Sequence, residues 1–181
     1  MEIQTLKAEI SCKEFIDGFV DIPRFDACCA KCPGYGKTWA CPPYAFDPMD
    51  IWAGYGTLLL YGKKAIVPQS EVETERDPHE LYLAYERLLR PVEHALLEEL
   101  YGLEKEYPGS LALSAGGCDI CEECTRGAAL PCRFADRMRY SVESLGGNVL
   151  KCITDIFKEE VLWAENGRLP GHYILLGGLL K

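Results

Sequence analysis

Residues 77–107 read DPHELYLAYERLLRPVEHALLEELYGLEKEY, and the periodicity of this stretch organises the rest of the chain around it. Asp77 stands before Pro78, whose preset φ and missing N–H suit a first helical turn, and Glu80 holds the third helical position of a capping box. Leu81, Tyr85, Leu88, Leu89, Val92, Leu96 and Leu100 then recur at three- and four-residue steps, the spacing of one buried helical face. Pro91 lies inside that pattern and predicts a kink or a split, because it removes an intrahelical hydrogen bond. Asp47-Pro48-Met49-Asp50 repeats the start signal and predicts a second helix.

Working outward, short apolar runs bounded by glycine read as buried strands at Thr57–Tyr61, Ala65–Val67, Leu111–Leu113 and Tyr173–Leu176. Lys63-Lys64 reads as a solvent-facing turn between two strand halves. A further helix is predicted from about Cys132 to Leu145, with Phe134, Met138, Val142 and Leu145 on one side and Gly146-Gly147 as its stop. Strands ordered among helices predict an α/β fold: a single compact domain over residues 1–181, with a small central sheet flanked by helices and two cysteine-rich loops, 28–44 and 116–133.

The chain has 181 residues and a formal charge of −9, with 48% hydrophobic residues, enough to bury a core without cross-links. No apolar stretch approaches the roughly 20 residues that span a bilayer, and Glu2, Lys7 and Glu9 interrupt the place of a signal peptide's apolar region. These features predict a cytoplasmic protein with no membrane partner. An acidic chain without a basic run also lacks the footprint of nucleic-acid binding. In a reducing compartment ten cysteines are better explained as metal ligands or redox groups than as disulfides.

Those cysteines fall into two groups. Cys118, Cys121, Cys124 and Cys132 spell C-x2-C-x2-C-x7-C after Gly116-Gly117, and three thiols at such short intervals let a tight loop wrap three corners of a [4Fe-4S] cubane. Zinc also accepts four thiolates, although its sites generally place them as two separated pairs. If Cys132 opens a helix, that helix's N-terminal amides favour an anionic cluster there.

The first group, Cys28, Cys29, Cys32 and Cys41, lies among Pro33, Pro42, Pro43, Gly34 and Gly36, a composition that excludes a plain helix or strand. Three ligands are expected, with Cys28 or Cys29 serving beside Cys32 and Cys41. Cys12 and Cys152 are the candidates for a fourth, and an open iron position is the other possibility; Cys12, without metal-like neighbours, reads as core. Tyr35, Trp39 and Tyr44 would wall the loop. Buried reduced thiols acting as small hydrophobes are the plain alternative for this loop. Arg133, Arg137 and Arg139 would neutralise a reduced cluster, meet an anionic substrate, or form ordinary ion pairs. His79, His94 and His172 have no ligand spacing and read as structural. Neither Gly54-Tyr55-Gly56 nor Gly177-Gly178 completes a dinucleotide fingerprint.

On Cys32-Pro33-Gly34-Tyr35-Gly36-Lys37-Thr38-Trp39-Ala40-Cys41-Pro42-Pro43-Tyr44, Gly116-Gly117-Cys118-x2-Cys121-x2-Cys124 and Pro131-Cys132-Arg133-Phe134-Ala135-Asp136, the chain resembles the DUF2284 family of predicted metal-binding proteins. Ala135 stands where that family usually carries proline. The resemblance implies ligand roles for Cys118, Cys121, Cys124 and Cys132, and for Cys28, Cys32 and Cys41, with Cys29 substituting for Cys28. It implies no particular reaction. The residues themselves favour one or two [4Fe-4S] clusters serving electron transfer or cluster-dependent redox chemistry with a partner protein. An enzyme with an open three-cysteine site and a zinc-stabilised binding module are the alternatives.

Overall fold

Two strands carry the centre of the molecule, and their alternation sorts side chains into two cores. In a computed structural model that describes residues 1–181, β2 (Thr57–Ile66) sends Leu58 and Leu60 to one face and Tyr61 and Ala65 to the other. β4 (His172–Leu180) does the same with Leu176 and Leu180 against Leu175 and Leu179. Both strands are therefore apolar on both faces, as central strands covered on two sides must be. β1 (Glu2–Ser11) and β3 (Leu111–Leu113) complete a four-stranded antiparallel sheet in the order β1-β2-β4-β3. The result is a single compact α/β fold.

On one face lies α5 (Pro78–Glu106), whose Leu89, Leu96 and Leu100 are fully buried against Tyr61, Ala112, Leu175 and Leu179. Its start is as predicted: Asp77 accepts from the backbone N–H groups of His79 and Glu80, and the Glu80 carboxylate accepts from the Asp77 N–H. Pro91 does not split the helix. Pro91 and Arg87, the residue whose carbonyl loses its partner, are both exposed, so water can take up the freed oxygen.

The other face is covered by α1 (Cys12–Phe19), α3 (Pro48–Ala53) and the segment from Val142 to Ile153, which close around Phe15 and Trp52. Trp52 is wholly buried, lies 5.0 Å from the Phe15 ring, and donates its indole N–H to the Leu145 carbonyl at 2.8 Å. The remaining helices are short: α2 (Ile22–Cys29), α4 (Gln69–Glu73) and α6 (Val149–Lys151), which continues as a π-helical turn over Cys152–Ile156.

Two expectations fail. Lys63 and Lys64 form no turn; β2 runs through them, since β1 and β4 flank it and satisfy its backbone on both sides. Lys63 is buried and held by the Glu99 carboxylate of α5 at 2.7 Å and by the Thr5 hydroxyl at 3.0 Å. The helix expected over Cys132–Leu145 is also absent. One turn forms, closed by Met138 N–H on Phe134 O at 2.7 Å, after which the Arg139 guanidinium takes the Asp136 and Met138 carbonyls. Only Glu143–Leu145 winds again, as a 3-10 turn.

Gly177 meets the sheet more closely than any side chain could. A Cβ there would overlap the Leu113 carbonyl oxygen and lie 3.0 Å from a Leu100 methyl. Gly177→Ala is expected to cost about 2 kcal/mol, because overpacking at this crossing forces β3 or α5 away from β4. A lower urea midpoint at unchanged slope in equilibrium unfolding checks it.

Candidate metal centre

The second cysteine loop is a closed excursion from the sheet. β3 ends at Leu113, Ser114 donates its N–H to Tyr140 O at 2.8 Å, and Ser114 and Ser141 pair as a parallel bridge, so the loop leaves and returns at one place. Gly116 takes φ +86°, the left-handed turn that starts the cysteine run. Asp119 is pinned to α5 by Arg90 at 2.9 Å and His94 at 2.7 Å, and those two partners hold its carboxyl below the usual range despite partial burial. His94 thus ties the loop to α5. Arg137 and Arg139 pair with Glu98 and Glu104 of α5, the ion pairs anticipated for them, and Arg133 donates to the Glu123 carbonyl.

Cys118, Cys121, Cys124 and Cys132 all line one cavity of about 520 Å³. Burial pushes the Cys118 thiol up, and the Ile120 backbone N–H, donating to its sulfur, works in the opposite direction. Cys132 does not open a helix; Cys124 instead precedes a 3-10 turn over Thr125–Ala128. No three histidine, cysteine or carboxylate side chains converge closely enough to grip a single ion. The four thiols ring a space instead of meeting at a point.

The far wall of that cavity comes from the first cysteine loop. Gly36, Lys37, Thr38 and Trp39 line it, and the Trp39 indole donates to the Leu130 carbonyl at 3.1 Å. Arg126 closes the junction: its guanidinium donates to the carbonyls of Thr38, Cys41 and Pro43 while lying 5.5 Å from the Trp39 ring. Trp39 therefore walls the second centre and not its own loop. Tyr44 stays beside the first group, with its hydroxyl on Ala40 O at 2.7 Å and its ring edge-on to Tyr140 at 5.2 Å; burial pushes its phenol up and the nearby Cys41 and Cys29 add to the shift. Tyr35 is half-buried.

Within the first loop, two thiols lie beside Gly34. A Cβ at Gly34 would stand 3.5 Å from Cys41 Sγ and 3.9 Å from Cys32 Sγ, in ordinary contact with both sulfurs, which places the two thiols on one side of this residue. Cys29, the last residue of α2, joins them: burial pushes its thiol to about 11, and the nearby Cys41 and Cys32 add to the shift. Cys28 and Cys32 are both exposed. Cys12 and Cys152 lie in the apolar core and offer no fourth ligand. Burial raises the Cys152 thiol to about 12. In metal-free protein Cys29 should alkylate with iodoacetamide about a hundredfold more slowly than an ordinary thiol near pH 8, accelerating as pH rises towards 11; peptide mass spectrometry reads this directly.

Glu143 escaped the sequence reading. Its carboxyl is buried, raised by that burial, and one oxygen, Oε2, has no hydrogen-bond partner. Nothing in Val142-Glu143-Ser144 distinguishes it from a solvent-facing acid on a helix.

Both sites present thiols above all, a donor set that suits zinc and iron-sulfur clusters and is poor for magnesium or calcium. No helix is long and apolar enough to cross a membrane. No curated protein and no solved structure matches the chain. The family model for DUF2284, described as "Predicted metal-binding protein", matches residues 20–170, a span that holds both thiol groups and the clasp between them, and the chain belongs to that family.

Proposed function

We propose that the protein is an iron-sulfur protein of the cytoplasm, carrying a [4Fe-4S] cluster on Cys118, Cys121, Cys124 and Cys132 and working with a redox partner in electron transfer or cluster-dependent redox chemistry. The observation that carries this reading is that all four thiols line one cavity of about 520 Å³. Three thiols at two-residue intervals with a fourth further on is cubane spacing, whereas zinc sites generally set their ligands as two separated pairs. When bound, the cluster supplies a one-electron couple. The chain's own residues supply the setting: the Ile120 amide hydrogen-bonds a sulfur, Arg90 and His94 pin the loop through Asp119, and Trp39 with Arg126 covers the far side. Hydrogen bonds to sulfur and exclusion of water are what tune such a centre.

A second thiol centre on Cys29, Cys32 and Cys41 extends the proposal. Because Cys12 and Cys152 lie in the core, the set stops at three cysteines, which a metal would have to draw closer together and which would leave it a position open to a small ligand. Iron, acid-labile sulfide and zinc per chain, measured after anaerobic preparation, test both statements. About four iron and four sulfide with a brown band bleached by dithionite are expected for the second loop alone, and more for both centres. Stoichiometric zinc in a colourless solution would replace this reading with a zinc-stabilised module.

A further inference from the structure

The two edges of the sheet are guarded unequally. β3 has three residues, and its Ala112 N–H is taken by the Glu104 carboxylate at 2.5 Å. β1 is ten residues long and pairs with β2 alone. Antiparallel pairing turns the backbone groups of alternate residues towards the neighbouring strand and those of the others away from it. The Cys12 N–H donates to Gly56 O at 3.0 Å, while the Ser11 N–H is left to the Glu14 carboxylate of its capping box. By that alternation Ile10, Ala8 and Leu6 bond inward to β2, and Glu9, Lys7, Thr5 and Ile3 turn their N–H and C=O groups outward. No residue outside the sheet hydrogen-bonds the backbone between Ile3 and Ile10.

Charges on an exposed edge ordinarily keep copies apart, but the sequence of β1 is complementary to itself. A twofold axis perpendicular to the sheet adds a second β1 antiparallel to the first and keeps the α5 side of both copies together. Odd residues then face odd ones, and even face even. With the axis at Ala8, Lys7 stands opposite Glu9 twice, Thr5 opposite Ser11 and Leu6 opposite Ile10. The ion pairs fall on the α5 side, where Lys7 Nζ lies 4.7 Å from the Tyr61 ring and Glu9 meets Lys181 at 2.8 Å. Lys7 and Glu9 are both exposed and free to take a further partner in water, whereas Leu6, Ala8 and Ile10 are half-buried on the other face. Shifting the axis by one residue sets Lys7 on Lys7 or Glu9 on Glu9. An axis at Leu6 sets Glu9 on Ile3 and Glu2 on Ile10.

We propose that two copies of this chain join β1 to β1 about an axis at Ala8, extending the four-stranded sheet of each into one continuous sheet. The outward N–H and C=O groups of Lys7 and Glu9 supply the central hydrogen bonds of that junction, and their side chains fix its register. The junction lies on β1 and is independent of what the thiols carry.

Sedimentation velocity on the full chain, from about 1 to 300 µM, should show the mass rising from one chain to two. Ala8→Cys tests the register. At the axis the two introduced thiols face each other in a pair without direct hydrogen bonds, with Cα atoms about 4.5 Å apart, within disulfide reach. Oxidised glutathione should link them, and peptide mass spectrometry identifies the linkage among the native cysteines. Leu6→Cys should give no such link, since its two copies stand four positions, roughly 13 Å, apart. Lys7→Glu places two acids against Glu9 of the other copy and should weaken association tenfold or more. A single-chain mass at every concentration, linkage through Leu6→Cys, none through Ala8→Cys, or unchanged association of Lys7→Glu would overturn the proposal. The mass measurement uses unmodified protein, so it decides even if a variant fails to fold.

Discussion

Cys121→Ser is expected to reduce the iron and sulfide bound at the second loop from about four of each to near zero, with loss of the dithionite-sensitive absorption. Cys121 is the middle member of the close triplet, so no neighbour can take its place without moving the loop. Asp119 is fixed to Arg90 and His94 on one side, and the paired Ser114 and Ser141 close the loop's base, so such a movement is opposed from both directions. Serine keeps the size and loses the soft donor, which isolates ligand chemistry from packing. Cys28→Ser is the matched control: that thiol does not line the second loop's cavity, and its loss should leave the iron and sulfide of that loop unchanged. Unchanged iron and sulfide in Cys121→Ser would remove the cluster assignment.

Arg126→Ala is expected to lower stability by about 3 kcal/mol and the melting temperature by roughly 6–12 °C. Its guanidinium answers three carbonyls from the other cysteine loop, at Thr38, Cys41 and Pro43, and these lose their donor together. Each charged hydrogen bond of this kind contributes about 1.5–3 kcal/mol, and partial access of water keeps the total below their sum. Lysine should not rescue the loss, because one ammonium cannot reach three oxygens arranged for a planar fork. Thermal unfolding of metal-free protein measures the effect on the chain itself. In loaded protein the same change should also release iron faster, since Trp39 loses the guanidinium beside its ring and the cavity wall loosens.

What could be read beforehand follows from how local each signal is. The cap of α5 and its leucine stripe involve residues three and four positions apart, so the helix was legible in full. β1 was not. As an edge strand it carries Glu2, Lys7 and Glu9 and buries little, so it lacks the apolar run that marked its neighbours. The helix expected after Cys132 failed because Phe134 and Met138 line the thiol cavity while Val142 and Leu145 enter the core, so the four do not share one face. The choice between Cys28 and Cys29 required the phase of α2, since adjacent helical residues point about 100° apart. The spacing of the second motif needed no such information, and all four of its cysteines arrive at one cavity. Glu143, by contrast, becomes visible only when α2 and the 3-10 turn of Glu143–Leu145 pack together, a contact between segments more than a hundred residues apart.

The position of β4 in the sheet has a consequence for biosynthesis. It pairs with β2 on one side and β3 on the other, yet follows both cysteine loops in chain order. During translation all eight thiols of those loops leave the ribosome before the strand that unites their scaffold exists. Pairings this distant in sequence form late, and incomplete sheets expose edges and apolar faces meanwhile. The nascent chain thus passes through an interval in which its sulfurs are synthesised but not yet positioned, and the two thiol groups take their places only when β4 has closed the sheet.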